Sequence, residues 1–296
     1  MSKLLSDLNS KGLISPPSFV VDNTQYLCVM GSQSYGTAND DSDWDIYGFV
    51  IPPKTMIFPH LDGAIEGFGR QKQRFETWQQ HHVEDKNARK QYDFQLYSII
   101  RYFHLCMENN PNMIDSLFVP QHCILHSTHV GNLVRENRKM FLHKGAWHKF
   151  KGYAFSQVKK MQSQTREGKR AEVVAEFGYD LKFGSHCVRL LNEVEQILIE
   201  GDLDLQRNRE QLKAIRRGDW TKEQILNYFN EKEKYLEKLY VESKLQYKPD
   251  EKKIKELLLN CLEHHYGSLS GCIVLQDQYV EGLKDIRGIL DKLGVY

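Results

Sequence analysis

The sequence predicts an α+β fold, with a mixed β-sheet and its helices in the N-terminal part and an all-helical region after it. Short apolar runs separated by turn residues dominate the first third of the 296-residue chain, as expected for strands. From about residue 95 the apolar residues recur at helical spacing instead. We therefore predict a 1–130 domain and a 131–296 domain, with the boundary in the window 125–145.

The predicted strands lie in the first hundred residues. The apolar runs Tyr26–Met30 and Trp44–Ile51 are the clearest candidates, and two prolines end the second run. Weaker candidates are Ala64–Gly69 and Tyr92–Leu96. The stretch Gln71–Lys90 is polar and rich in His, Arg and Lys, which predicts a mobile loop or a hairpin tip.

The predicted helices begin at about Gln95. The first has an apolar stripe that ends at Asn109-Asn110-Pro111; its members are Leu96, Ile99, Ile100, Phe103 and Met107. The spacing predicts further helices at Asn132–Phe141, Lys149–Gln164, Lys182–Glu200, Lys222–Gln246 and Gln278–Lys292, and one that begins after Pro249-Asp250.

Composition excludes several classes of protein. The chain is 41% hydrophobic and 27% charged, which is typical of a globular protein with a sizeable core. It has no apolar run of about 18 residues, so no membrane span is expected, and its N-terminal apolar stretch is too short for a secretory signal. The six cysteines are isolated in sequence, which predicts reduced thiols in a cytoplasmic protein and no zinc site.

Positive charge is concentrated in one segment, although the net charge of the whole chain is only +1. Between Arg138 and Arg170 the chain has ten Lys or Arg residues and a single acid, Glu167. Such clustering favours a polyanionic partner, and RNA is the candidate. The candidate nucleic-acid-binding residues are Lys149, Lys151, Lys159 and Lys160. A solvated helical face is the alternative interpretation.

A Gly-Ser turn follows the first predicted strand. Gly31 and Ser32 come directly after YLCVM, and Tyr35 and Gly36 follow within the same short segment. Glycine allows a sharp turn and a close approach of the backbone to a ligand. A strand that leads through such a turn into a helix start offers backbone N–H groups and hydroxyls to a phosphate. Since the chain has no G-x-x-x-x-G-K-[ST] motif, this turn is the candidate triphosphate site.

Two aspartates follow the turn at alternating positions. Asp43 and Asp45 point to one face of the predicted strand, while Trp44 and Ile46 point to the other. Adjacent carboxylates repel each other, so a cation favours their ionised forms, and Mg²⁺ often joins carboxylates to substrate phosphates. This arrangement predicts part of a divalent-metal site, with Mg²⁺ or Mn²⁺ as the ion. An Asx-rich turn before an ordinary edge strand is the alternative.

A third carboxylate is expected from a neighbouring strand. Asp93 is the best candidate, because it is an isolated acid in an apolar, β-prone stretch just before a helix. Asp93 could instead be an ordinary charge at a helix N-terminus. Its competitors as the third carboxylate are Asp62, Glu66, Glu84 and Asp85.

The helical half also carries candidate ligand-binding residues. Lys182, His186 and Arg189 form a polar stripe on the helix predicted at Lys182–Glu200, which suits a triphosphate or an RNA backbone if it faces a cleft. A solvated face is the alternative. Tyr153 and Phe155, near Gln157 and Lys160, could stack on bases or belong to the core. Arg216 and Arg217 could contact phosphate or lie at a helix C-terminus.

The motif G-S-x-x-Y-G followed by S-D-x-D, from Gly31 to Asp45, resembles the signature of the DNA polymerase β nucleotidyltransferase superfamily. The chain is more closely similar to the RlaP family of predicted nucleotidyltransferases. NNPNMIDSLFVP (Asn109–Pro120), FKGYAFSQVKKM, KFGSHCVRLLNEVEQILIEGDL and KAIRRGDW resemble segments of that family. The resemblance covers about residues 25–225 and departs at Asp115, where the family more often has Glu.

The resemblance implies a metal-dependent nucleotidyltransferase that moves an NMP from an NTP to an acceptor hydroxyl and releases pyrophosphate. Gly31 and Ser32 would hold the β- and γ-phosphates, in a nucleotide site that also includes Tyr35, Gly36, Lys182, His186 and Arg189. Asp43 and Asp45 would bind both metal ions, and Asp93 would bind one of them and help to accept the hydroxyl proton.

The acceptor has three candidates: an RNA end, a protein hydroxyl and a small molecule. The basic cluster and the association of the family with RNA repair favour RNA. Two other functions stay open for the same fold. One is a nucleotide- or RNA-binding module without catalysis, and the other is an antitoxin-like protein whose helical half binds a partner protein.

Overall fold

The described strands form one mixed sheet. They are β1 (Thr24–Val29), β2 (Trp44–Val50), β3 (Thr77–Asp85), β4 (Lys90–Ser98) and β5 (Ile124–Ser127), in the order β3-β4-β2-β1-β5. Strands β2 and β4 pair in parallel, and the other neighbours are antiparallel. The computed structural model describes residues 1–39, 42–58, 74–163 and 168–267, with Ile286, Leu290 and Leu293. An α+β fold is thus confirmed.

Several predictions fall on other parts of the chain. The strand predicted at Ala64–Gly69 and the candidate acids Asp62 and Glu66 lie outside the described residues, as does Cys272. The helix predicted at Gln278–Lys292 lies almost entirely outside them.

The prediction of a loop over Gln71–Lys90 is wrong for most of its described part. Strand β3 pairs with β4 as a hairpin, and only residues 86–89 form its turn. The strand escaped prediction because it lies at the edge of the sheet, where most of its side chains are exposed and polar. Its packing rests on few apolar residues, such as Trp78, whose ring lies 5.6 Å from that of Phe94.

The N-terminal part contains the helices α1 (Lys3–Ser10), α2 (Ser18–Asn23), α3 (Lys54–Ile57), α4 (Ile99–Met107) and α5 (Pro111–Phe118). Helix α4 carries the predicted apolar stripe but begins at Ile99, because the hydroxyl of Ser98 caps it by accepting from the Arg101 N–H. Helix α5 was not predicted. The side chain of Asn110 caps it, and Pro111 occupies its first position, where a missing N–H costs nothing.

The C-terminal part contains α6 (His129–Glu136), α7 (Ala146–Ser163), α8 (Lys169–Phe177), α9 (Leu181–Glu200), α10 (Arg209–Arg217), α11 (Lys222–Glu242) and α12 (Glu251–Tyr266). Helix α9 is its centre, since it packs against α7, α10 and α11 and most of its side chains are buried. It begins at the Asp180 cap and ends where Gly201 adopts the left-handed conformation. The helix predicted at Asn132–Phe141 is instead α6 followed by a short 3₁₀ turn, Arg138–Phe141.

Helix α12 returns to the N-terminal part of the chain. It packs against α6, the Tyr266 hydroxyl donates to the Pro52 carbonyl, and Gln25 Nε2 lies 3.2 Å from His265 Nδ1. Helix α12 therefore links the C-terminal helices to the N-terminal part, and the division at residue 130 stays a prediction.

The described cysteines are buried and unpaired, which confirms the prediction of reduced thiols for Cys28, Cys106, Cys123, Cys187 and Cys261. Within the described part of the chain, no helix is long and apolar enough to cross a membrane.

Candidate active site

A cleft of about 770 Å³ separates the end of the sheet from the helical half. Its lining combines side chains from the turn after β1, from β2 and β4, and from α7, α9 and α10. Among them are Gly31, Ser32, Tyr35, Asp43, Asp45, Asp93, Lys182, His186 and Arg189, which were all predicted from the sequence. Gly36 lies in the same turn but does not line the cleft.

The Gly-Ser turn lies directly beside the Asp45 carboxylate. Gly31 has a φ of +65°, and a Cβ built on it would lie 2.2 Å from Asp45 Oδ2. No other residue fits there, because a side chain would be strained at this φ and would also displace the carboxylate. The predicted helix start is absent: residues 31–36 form successive turns, closed by bonds such as Thr37 N–H to the Ser32 carbonyl at 2.9 Å.

Three carboxylates approach the cleft from adjacent chain segments. Asp45 of β2 and Asp93 of β4 are direct partners in the parallel register, and Asp43 lies just before β2. Neighbouring strands are about 4.8 Å apart, so the two in-register side chains lie next to each other on one face. Burial raises the pKa of Asp45, and the charges of Asp93 and Asp43 raise it further, against the opposing effect of Lys182.

The bulge in β3 orients Asp93. The register between β3 and β4 shifts between Gln80 and Val83, and His82 within this bulge has a φ of +55°. The bulge directs the His82 N–H toward Asp93, whose Oδ1 accepts it at 2.6 Å, and it leaves the His81 Nδ1 3.7 Å from the same oxygen. A backbone bond of this kind fixes the rotamer of Asp93 and leaves its Oδ2 for a ligand.

The other candidates for the third carboxylate fit less well. Asp85 is buried at the hairpin turn, where it binds Lys11 and accepts from the N–H groups of Asn87 and Ala88. Glu84 is exposed and does not line the cleft. Among the described acids, Asp93 is therefore the one that can act with Asp43 and Asp45.

The donor set suits a hard divalent cation. Its oxygens are carboxylates, the pKa of Asp45 is raised by burial and then by the charges of Asp93 and Asp43, which a cation would offset, and the missing side chain of Gly31 leaves room for the Asp45 carboxylate. Within the described residues, no three acidic, imidazole or thiol side chains are already arranged around a common point. Occupancy would therefore require side chains to move, which the exposed Asp43 can do most readily.

The opposite wall of the cleft is positively charged. The first turns of α9 contribute Lys182, Ser185 and His186 to this wall, and the end of α10 contributes Arg216. Arg170 also lines the cleft and forms an ion pair with Asp180 at 2.6 Å. Ser185 escaped prediction, although it is one helical turn from Lys182 on the same stripe. Arg217 points elsewhere and pairs with Asp219.

His186 is held in its neutral form. Burial lowers its pKa well below the usual value, and nearby cations lower it further; these are Arg189, Lys182, Arg216 and Arg170. A polyanion placed among these cations would offset their part of the shift, whereas the larger part, due to burial, would remain.

Arg189 has a second role that the sequence did not indicate. Its Nη1 donates to Asp115 Oδ2 and, at 2.9 Å, to Glu193 Oε1, and its guanidinium lies 4.2 Å from the centre of the Tyr35 ring. The Tyr35 hydroxyl donates to the same Asp115 oxygen at 2.7 Å. All these side chains are buried, and burial raises the pKa of both acids.

This buried network joins the Gly-Ser turn to α5 and α9. Tyr35 and Arg189 were predicted as nucleotide contacts, yet their polar groups are largely engaged with protein partners. They are better placed to fix the turn against α9 than to bind a ligand directly. Asp115 is completely buried, so the longer side chain of a glutamate at this position would not reach solvent either.

The lysines predicted to bind nucleic acid do not line the cleft. Lys149 pairs with Glu108 at 3.0 Å, and Lys151 pairs with Glu237 at 2.7 Å. Lys159 and Lys160 lie over the rings of Phe155 and Phe183. Their role in binding nucleic acid stays a prediction.

The chain is similar to one protein family and to a few solved structures. The family described as RlaP, RNA repair pathway DNA polymerase beta family, matches residues 18–260. Three solved chains match, including a nucleotidyltransferase-like protein from Exiguobacterium sibiricum. That protein is 12% identical, over 88% of this chain and 72% of its own, with a TM-score of 0.30. No curated protein matches.

Proposed function

Because the chain belongs to the RNA repair pathway DNA polymerase β family, RlaP, we propose that it is a metal-dependent nucleotidyltransferase that moves an NMP from an NTP to an acceptor hydroxyl. Family and fold support a nucleotidyltransferase-type function. The observation that carries the finer proposal is the in-register pair Asp45 and Asp93, which lies beside the Gly31 turn and opposite a cationic helix face.

In this proposal the triphosphate spans the cleft between its two walls. Gly31 and Ser32 contact the β- and γ-phosphates through the backbone and the serine hydroxyl. From the opposite wall Lys182 and Arg216 neutralise charge, and the neutral His186 adds a ring N–H donor. Tyr35, Gly36 and Arg189 act mainly by holding the turn. The cations next to His186 support this assignment, because they concentrate positive charge where a polyphosphate would need it.

The reaction joins the acceptor oxygen to the α-phosphorus and breaks the bond from that phosphorus to the oxygen bridging to the β-phosphorus. Asp93 accepts the acceptor proton at Oδ2, since its Oδ1 already accepts the His82 N–H. Lys182 and Arg216 stabilise the charge that accumulates on the departing pyrophosphate.

Asp43, Asp45 and Asp93 would hold the divalent ions, Mg²⁺ or Mn²⁺, that lower the pKa of the attacking hydroxyl and neutralise the leaving group when bound. Without a cation these carboxylates would repel the nucleotide's α-phosphate, so its placement at the sheet side of the cleft would depend on the bound metal.

The acceptor is proposed from the family description alone, which favours an RNA end. The described lysines of the basic segment support this weakly, since Lys149 and Lys151 are paired with acids.

A transfer assay tests the proposal. Each NTP, labelled at the α- or γ-phosphate, is incubated with the full chain, Mg²⁺ or Mn²⁺, and RNA, protein or small-molecule pools. We expect α-label to enter one pool and Asp45→Asn to abolish the transfer. Glu84→Gln is the matched control, because it removes an exposed carboxylate outside the cleft.

Transfer of γ-label instead of α-label would replace the proposal with a phosphotransferase. Binding of NTP with no transfer to any pool would favour the non-catalytic nucleotide-binding module.

A further inference from the structure

The lining of the cleft also includes uncharged side chains that could contact a ligand. Tyr153 and Gln157, one turn apart on α7, line the cleft together with Asn112 at the start of α5. This group of an aromatic ring and two carboxamides, which we call the amide-aromatic site, is unused by the chemistry proposed above.

The ring of Tyr153 is exposed and yet held in place. Its exposed fraction is 39%, which is high for a large aromatic residue in the middle of a helix, and its hydroxyl accepts from Asn110 Nδ2 at 3.0 Å. Asn110 is itself fixed, because its side-chain oxygen caps α5 by accepting from the Asn112 and Met113 N–H groups. A ring that is exposed and restrained loses little freedom when a flat ligand stacks on it.

The two carboxamides add hydrogen-bonding capacity to the same surface. Each has one acceptor oxygen and two N–H donors, and neither side chain bonds to another described residue. The edges of nucleobases likewise carry donors and acceptors side by side, so a carboxamide can pair with them and distinguish one base from another.

We propose that the amide-aromatic site binds the nucleobase of the incoming NTP, with Tyr153 stacking on the base and Asn112 and Gln157 selecting it. This rests on the proposed function, since it assigns the base of the same nucleotide whose phosphates lie between Gly31 and Lys182. The cleft thus has three chemically distinct parts, for metal-bound phosphate, for charge neutralisation and for the base.

The chain offers a matched control for the stacking residue. Phe155 is also an exposed aromatic residue of α7, with an exposed fraction of 48%, but it does not line the cleft. Loss of either ring should change the free energy of unfolding little. A difference in ligand affinity between Tyr153→Leu and Phe155→Leu therefore measures what the Tyr153 ring contributes to binding in the cleft.

The experiment measures dissociation constants of the full chain for the four NTPs and for inorganic tripolyphosphate, which has the phosphates but no base. We expect Tyr153→Leu to weaken NTP binding by about tenfold or more and to leave tripolyphosphate binding unchanged. Phe155→Leu should change neither. The wild-type chain should have different dissociation constants for the four NTPs, and Asn112→Leu and Gln157→Leu should reduce the differences among these constants.

Two results would overturn the inference while leaving the proposed function intact. One is unchanged NTP binding in Tyr153→Leu, and the other is an equal loss for NTP and tripolyphosphate, which would make its effect indirect. A wild-type chain that binds neither NTP nor tripolyphosphate would overturn the proposed function, and this inference with it.

Discussion

Gly31 offers a direct test of the carboxylate site, because its missing side chain has a structural consequence that can be separated from backbone strain. Replacing it with alanine places a Cβ 2.2 Å from Asp45 Oδ2, well inside contact distance. It also forces a non-glycine residue to adopt a φ of +65°. The first effect concerns the site, and the second is a general cost of the left-handed conformation.

The chain contains a control for the second effect. Gly12 has a φ of +68°, and a Cβ built on it meets no atom within 4 Å. Gly12→Ala should therefore cost only the left-handed conformation, about 1–2 kcal/mol. Gly31→Ala should cost this plus roughly 1 kcal/mol more, because the Asp45 side chain must leave its rotamer.

Denaturant unfolding of both variants measures these costs. The difference should disappear when Gly31→Ala is made in an Asp45→Ala background, since the atoms that it meets first are then absent. Nucleotidyl transfer by Gly31→Ala should fall at least tenfold, whereas Gly12→Ala should retain it. Our reasoning would be refuted if the extra cost of Gly31→Ala persisted without the Asp45 carboxylate, or if the two glycine variants were equally stable.

Three other predictions follow from the site. Tyr35→Phe should weaken NTP binding, speed amide hydrogen exchange in residues 31–37 and lower the free energy of unfolding by about 0.5–1.5 kcal/mol. Tyr26→Phe, which also removes a buried hydrogen bond of a hydroxyl, should lower the free energy of unfolding by the same amount but change neither NTP binding nor the exchange of residues 31–37. NTP binding should raise the pKa of His186, because the phosphates would offset the nearby cations even though burial, the largest cause of the low pKa, persists; binding should then tighten as the pH falls toward that pKa, calorimetry in two buffers would measure the proton uptake, and His186→Gln should remove it. Because folding raises the pKa of Asp45, mainly through burial and further through the charges of Asp93 and Asp43, the contribution of this carboxyl to stability should be lost as the pH rises from about 4; Asp45→Asn should therefore be at least as stable as wild type at neutral pH in metal-free buffer, and a clear loss there would contradict the raised pKa.

The part of the site that lies in one stretch of sequence could be predicted well. Gly31, Asp43 and Asp45 share a short segment whose strand and turn signals are local, so their proximity follows from the spacing alone. Asp93 could be chosen as an isolated acid in a β-prone stretch. Its position opposite Asp45 depends on the register of a parallel pair, which the sequence does not specify.

The interactions that sequence reasoning missed depend on distant residues. The sequence of β3 resembles that of a loop because the strand lies at the edge of the sheet and is mostly polar. The role of the bulge at His82 depends on Asp93, which lies on the neighbouring strand and accepts the His82 N–H. From the sequence Arg189 is predicted to contact a ligand, because it shares a polar helical stripe with Lys182 and His186. Its partner Glu193 is four residues away on the same helix, but its other partner, Asp115, is 74 residues away and completely buried, so no local pattern could reveal that second pair.

The basic segment shows the same limit in its electrostatics. The excess of Lys and Arg between Arg138 and Arg170 suggests a continuous positive surface, but the fold brings acids from elsewhere to several of these residues. Lys139 pairs with Asp202, and Lys149 and Lys151 pair with Glu108 and Glu237. These ion pairs reduce the positive charge that the segment presents, and the cations next to His186 in the cleft offer another attraction for an anion. A triphosphate and an RNA acceptor would then depend on the same positive charge, so bound nucleotide should weaken the attraction for RNA rather than add to it.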